Sequence, residues 1–100
     1  MVLEAVTLNI KEGESSEFEK AFLKAQKIIS SIKGYQSHEL QKCIEKESNY
    51  ILLVRWESLE AHTVNFRESE EYQEWKELLH HFYEPFPEVN HYSMVCSNAT

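Results

Sequence analysis

The residues of this 100-residue chain that could carry chemistry gather in its second half. Trp56, His62, Phe66, Tyr72, Trp75, His80, His81, Phe82, Tyr83, His91 and Tyr92 supply rings able to wall an apolar pocket and imidazoles able to move a proton near neutral pH. His62 and Asn65 are three residues apart, so on a helix they would present a polar pair to a cavity between helix and sheet. Plainer readings stand beside these: His62 as a capping or surface histidine, Trp56 and Trp75 as core. His80 and His81 are adjacent and would point about 100° apart on a helix, which suits a shared metal poorly.

The sequence lacks a Gly-rich phosphate loop, a GxSxG elbow, an HExxH pair and a CxxC pair, which removes most common cofactor and metal classes. Cys43 and Cys96 fall in predicted strands and read as buried, reduced thiols. A net charge of −7 argues against nucleic acid as a partner, because the surface repels phosphate. The longest aliphatic run, Ile51 to Val54, is far short of the ~18 residues of a membrane span. With no basic segment at its start, the chain is expected to be cytoplasmic. It reads as one domain over residues 1–100, ordered over about 2–96.

Those residues must be positioned by the elements that the periodicity predicts. Val2 to Ile10 alternates as a strand, with Val2, Val6, Leu8 and Ile10 on one face and Leu3, Ala5, Thr7 and Asn9 on the other. Ser16 and Glu19 form a capping-box pattern, and Phe18, Phe22, Ala25, Ile29 and Ile32 make a helical stripe that Gly34 should close, giving a helix over Ser16 to Lys33. Tyr35 to Ile44 and Tyr50 to Trp56 read as strands joined by the polar turn Glu45 to Asn49, with Arg55 the one charge in the second. Ser58 caps a further helical region, which Ser69 restarts for Tyr72, Trp75, Leu79 and Phe82, so two pieces should meet near Glu68. Pro85 and Pro87 end it, and Val89 to Cys96 alternates as the last strand.

The resulting order, β-α-β-β-α-β, is that of an α+β, ferredoxin-like fold with a four-stranded antiparallel sheet and both helices on one face. The first and third strands carry apolar residues on both sides, so the face without helices needs cover. A second copy would supply it, and a homodimer is expected.

The stretch from Leu53 to Ser69, continued by Tyr72-Gln73-Glu74-Trp75, resembles the antibiotic biosynthesis monooxygenase family: a strand ends in Trp-x-Ser at Trp56 and Ser58, then come a helix, a serine and an aromatic. The resemblance covers nearly the whole chain and implies a dimeric α+β barrel. It further implies a cofactor-independent monooxygenase acting on a small aromatic or quinone-like molecule, whose enolate or phenolate reduces dioxygen without a bound cofactor. Under it His62 is the catalytic base, Asn65 its polar orienter, and Trp56, Phe66, Tyr72 and Trp75 bind substrate. The His or Trp common in the family's first helix of this region is replaced by Asn65 or Phe66. The haem-degrading branch resembles an Asn, a Trp and a His at places that here hold Val6, Asn65 or Phe66, and Lys76, so haem degradation is not expected. The alternative is a non-enzymatic, dimeric small-molecule-binding or stress-response module using the same pocket.

Overall fold

Alternation along the first strand is sustained by burial on one side: Val6, Leu8 and Ile10 are buried beside the equally buried Glu4, while Leu3, Ala5 and Thr7 face away. The computed structural model describes residues 1–98. Its elements are β1 (Val2–Asn9), α1 (Ser15–Ile29), β2 (Tyr35–Lys42), β3 (Asn49–Trp56), a π-helical segment (Ala61–Phe66), α2 (Glu70–Leu79), a 3₁₀ turn (His80–Phe82) and β4 (Val89–Tyr92). The strands form one antiparallel sheet in the order β2-β3-β1-β4, as expected of the ferredoxin-like arrangement. The strands richest in apolar residues, β1 and β3, are the inner pair.

Phe18, Phe22, Ala25 and Ile29 of α1 and Trp75 and Leu79 of α2 meet Val6, Leu8, Leu52, Val54 and Trp56 in one core. Phe18 is its aromatic centre, edge-on to Tyr50 at 4.9 Å and to Phe82 at 5.8 Å. The opposite face of the sheet carries Leu3, Ala5, Ile51, Leu53, Arg55 and Tyr92, and among the described residues no helix covers it.

Several boundaries depart from the sequence-based expectation. The capping box does not form: α1 begins at Ser15 without a side-chain cap, because Glu19 is taken by the Tyr50 hydroxyl at 2.5 Å and Lys42 Nζ at 3.3 Å. The helix stops at Ile29 rather than Lys33. The hydroxyls of Ser30 and Ser31 donate to the carbonyls of Lys27 and Ile28, and Gly34 uses its positive φ of 95° one turn later, on entry to β2. Ile32 still reaches the core from that turn.

The last strand ends at Tyr92, so Cys96 is exposed outside it, and Cys43 is half-buried just past β2. Neither thiol is therefore the buried strand residue expected. The break before Glu70 does occur. Ser69 Oγ accepts from Tyr72 N at 3.1 Å and caps α2, while the piece before it is π-helical rather than α-helical.

Candidate functional site

The break positions the candidate chemistry. Ser58 Oγ accepts from Ala61 N at 3.2 Å to start the wide turn, and Arg67 N donates to His62 O at 3.0 Å, a five-residue closure. The turn sets His62 and Phe66 inward and leaves Asn65 exposed. Asn65 Nδ2 donates to Lys33 O at 2.9 Å, tying the π segment to the turn before β2. The expected polar pair of His62 and Asn65 is thus not assembled, because a π turn advances less per residue than an α turn and the third residue on no longer shares His62's face.

What stands beside His62 instead is Glu4. The His62 ring is stacked on Trp56 at 5.3 Å and 21°, its Nε2 is 3.4 Å from Glu4 Oε1, and Trp56 Nε1 donates to that same oxygen at 2.9 Å. On the other side, His62 Nδ1 is hydrogen-bonded to His91 Nε2 at 2.7 Å. Glu4 and His62 are 6% and 2% exposed, so this is a carboxyl and an imidazole held almost out of water.

Burial raises the Glu4 carboxyl above its ordinary range, against the lowering effects of the Trp56 hydrogen bond and of Arg67. Burial, with smaller contributions from Arg67 and His91, pushes His62 down to about 3, so its ring is neutral at physiological pH. His91 is lowered too, by burial and by Arg67.

Glu4 and His62 open into a cavity of about 330 Å³ between the sheet and the second helical region, within the size range of small-molecule sites. Val6, Leu8, Leu52 and Val89 form its apolar floor, Phe66, Tyr72 and Trp75 one wall, and His80, Tyr83, Phe86 and Pro87 the other, with Arg67 also lining it. Tyr83 is buried enough to push its phenol well above the usual range, so it stays a neutral donor.

Of the residues expected to bind substrate, Phe66, Tyr72 and Trp75 line the cavity, whereas Trp56 lies beneath it as the support of His62 and Glu4. His80 and His81 diverge, as adjacent helical residues must: His80 lines the cavity and His81 is exposed. Glu4 was missed from sequence, although a carboxylate in the inward register of Val2, Val6, Leu8 and Ile10 is a legible signal.

A second hollow of about 420 Å³ lies between α1 and β2. Apart from Glu39, its polar groups are committed to neighbours: His38 bonds Tyr35 Oη at 2.5 Å and Gln26 Oε1 at 3.0 Å, and Glu19 holds Tyr50 and Lys42. Among the described residues, no group of three His, Cys, Asp or Glu side chains is placed to hold a metal ion, and no helix is long and apolar enough to cross a membrane.

A ferredoxin-like sheet with a carboxyl–imidazole pair in an aromatic cavity under its helices defines the class, a small α+β pocket protein. Comparison with known proteins narrows it. Residues 1–78 match the sequence model of the antibiotic biosynthesis monooxygenase family, and the chain belongs to that family. It is 59% identical over 95 residues to the uncharacterised protein YczJ of Bacillus subtilis (strain 168), covering 95% of this chain and all of that one. A Bordetella bronchiseptica structure provisionally named an antibiotic biosynthesis monooxygenase superposes with a TM-score of 0.89 at 28% identity, over 95% of this chain and 97% of that one. SnoaB, a cofactor-independent oxygenase from Streptomyces nogalater, shares the fold with a TM-score of 0.84 at 16% identity, over 96% and 94% of the two chains.

Proposed function

We propose that the protein is a cofactor-independent monooxygenase that oxidises a small aromatic or quinone-like molecule, such as a hydroquinone or an anthrone. The observation that carries this reading is the buried Glu4–His62 pair opening into an aromatic cavity on a domain of this family. In such a reaction a substrate C–H or O–H is deprotonated and the resulting anion gives one electron to dioxygen. The radical pair combines at carbon, and loss of water from the peroxide leaves a carbonyl, so that CH₂ and O₂ become C=O and H₂O. The protein need supply a proton acceptor, a charge to favour the anion and a dry, shaped cavity. The Glu4–His62 pair, the Arg67 guanidinium and the apolar floor suit those three tasks. Phe66, Tyr72 and Trp75 hold the ring, Trp56 supports the acceptor, and Asn65 orients it indirectly by anchoring the π segment.

Oxygen uptake with a panel of hydroquinones and anthrones tests the reading. The native protein should consume oxygen above the buffer rate, and His62→Ala should lower that rate by about a hundredfold, the usual contribution of a positioned base. Uptake at the buffer rate across the panel would remove the enzymatic reading. A non-enzymatic binding or stress-response module is the second reading, favoured by the weak basicity of His62; it predicts saturable ligand binding without oxygen uptake.

The reading includes a homodimer, supported by the apolar character of Leu3, Ala5, Ile51, Leu53 and Tyr92 on the helix-free face. It also includes a cytoplasmic location, supported by the free thiols of Cys43 and Cys96.

A further inference from the structure

The cavity carries its positive charge at the rim. Arg67 and Phe86 are exposed where it opens, whereas Glu4, Leu8, Leu52 and His62 are buried at its inner end. Burial is the main cause that raises the phenols of Tyr72 and Tyr83 and lowers the imidazoles of His62 and His80, so all four are neutral at physiological pH. Arg67 is therefore the one standing cation among the residues that line the cavity.

This arginine is anchored by its backbone and free at its side chain. Its N–H donates to His62 O at 3.0 Å, which closes the π turn and fixes where the side chain leaves the backbone. Among the described residues the guanidinium has no carboxylate partner, since the ion pairs are Lys20–Glu17, Lys42–Glu19 and His62–Glu4. Glu68, Glu70 and Glu71 follow within four positions, yet none of them is paired with it. The side chain lines the cavity instead, and beside the larger effect of burial its charge also lowers Glu4, His62, His91 and Tyr72.

A guanidinium presents five N–H donors in one plane and meets a carboxylate with two of them in parallel. In a chain of net charge −7, an anion is repelled everywhere except beside such a local cation. One guanidinium, with no second cation in the lining, suits a carboxylate monoanion better than a phosphate dianion.

We propose that the ligand of this cavity is an aromatic carboxylate, with its carboxylate paired to Arg67 at the rim and its ring held between Phe66, Tyr72 and Trp75 on one side and His80 and Tyr83 on the other. The proposal rests on the oxygenase reading for what happens to that ring, and it narrows the hydroquinones and anthrones of that reading to those bearing a carboxylate. Pinned at the rim, a flat ring turns its far edge toward Glu4 and His62. The carboxylate uses two of the five donors and leaves others for the anion that forms during oxidation.

Calorimetric titration with 2-naphthoate and 2-naphthamide tests the recognition without any turnover, because the two probes share size and ring and differ in charge. The native protein should bind the naphthoate about tenfold or more tightly than the amide, the usual advantage of a charge-assisted hydrogen-bonded pair. Arg67→Gln should bind the two probes alike, and Arg67→Lys, which keeps the charge but not the planar fork, should fall between. Equal affinities in the native protein, a preference that survives in Arg67→Gln, or no binding of either probe at millimolar concentration overturns the proposal.

A second arm uses the native chain alone, so it stands even if the variants fail to fold. Because Arg67 is exposed, the preference for the naphthoate should shrink severalfold between low and 0.5 M salt while the affinity for the amide does not fall. A preference indifferent to salt overturns the pairing. Failure of the oxygenase reading is distinguishable: a native protein that prefers the naphthoate but consumes no oxygen with any carboxylated hydroquinone or anthrone keeps this recognition and loses the oxidation.

Discussion

His62 links the site to the stability of the fold, because its ring is neutral when folded and free to charge when unfolded. Its pKa is about 3 in the native protein against an ordinary 6.5, so below pH 6.5 the unfolded chain binds the extra proton. The stabilisation is therefore fully present above pH 6.5 and is lost as pH falls toward 3. Between pH 7 and pH 5 the loss from this one ring should be about 2 kcal/mol. Glu4 has the opposite sign. Its raised pKa adds stability at low pH that disappears as pH rises through the folded value, so the two must be separated. Urea denaturation of Glu4→Gln and of Glu4→Gln/His62→Gln at pH 7 and pH 5 does this, and the double variant should lack about 2 kcal/mol of the acid-side loss. His62 and its aromatic surroundings were legible from residue type and spacing alone. Glu4 was legible in principle, since it breaks an apolar register, but its meeting with His62 was not, because the two lie 58 positions apart in sequence and meet only through the sheet and the turn above it.

At the scale of elements, the π segment decides which side chains enter the cavity, and the turn before β2 holds that segment in place. Gly34 sits at φ +95°, and a Cβ there would come within 2.5 Å of Ala61 Cβ, at the first residue of the π segment. Gly34→Ala should therefore combine backbone strain with a clash and cost about 2–4 kcal/mol in denaturant unfolding. Gly13→Ala is the control: its φ is +82° but nothing lies within 4 Å of the added carbon, so it should cost only about 1–2 kcal/mol. Equal costs for the two would mean that the approach of Gly34 to Ala61 is not a constraint. The serine restart at Ser69 was readable because N-capping is a local interaction of one side chain with the backbone three residues on. The π turn was not. Widening a helix by one residue is decided by what packs beneath it, here Trp56 and Glu4 under His62, and leaves no period of its own in six residues.

For the whole molecule, the sheet divides two apolar faces of different fate: one is closed by α1 and α2, while the other carries Leu53 between Ala5 and Glu39 with no helix of the described residues above it. In the proposed dimer this face is the interface, and burying an unpaired cation there is costly. Sedimentation at micromolar concentration should give a dimer for the native chain and a monomer for Leu53→Lys, with the helical and strand content unchanged. A native monomer would remove the dimer from the proposed function. The sequence by itself determined the order of elements, the antiparallel four-stranded sheet and the family, because period-two and helical patterns, a serine cap and the strand ending in Trp-x-Ser are local properties of consecutive residues. Only the tertiary structure decided that α1 ends four residues early, that Asn65 turns to Lys33, and that Glu4, His62 and His91 form one row. Those outcomes depend on which distant group reaches a polar atom first, and in a folded chain that is settled by strand register and packing rather than by spacing along the sequence.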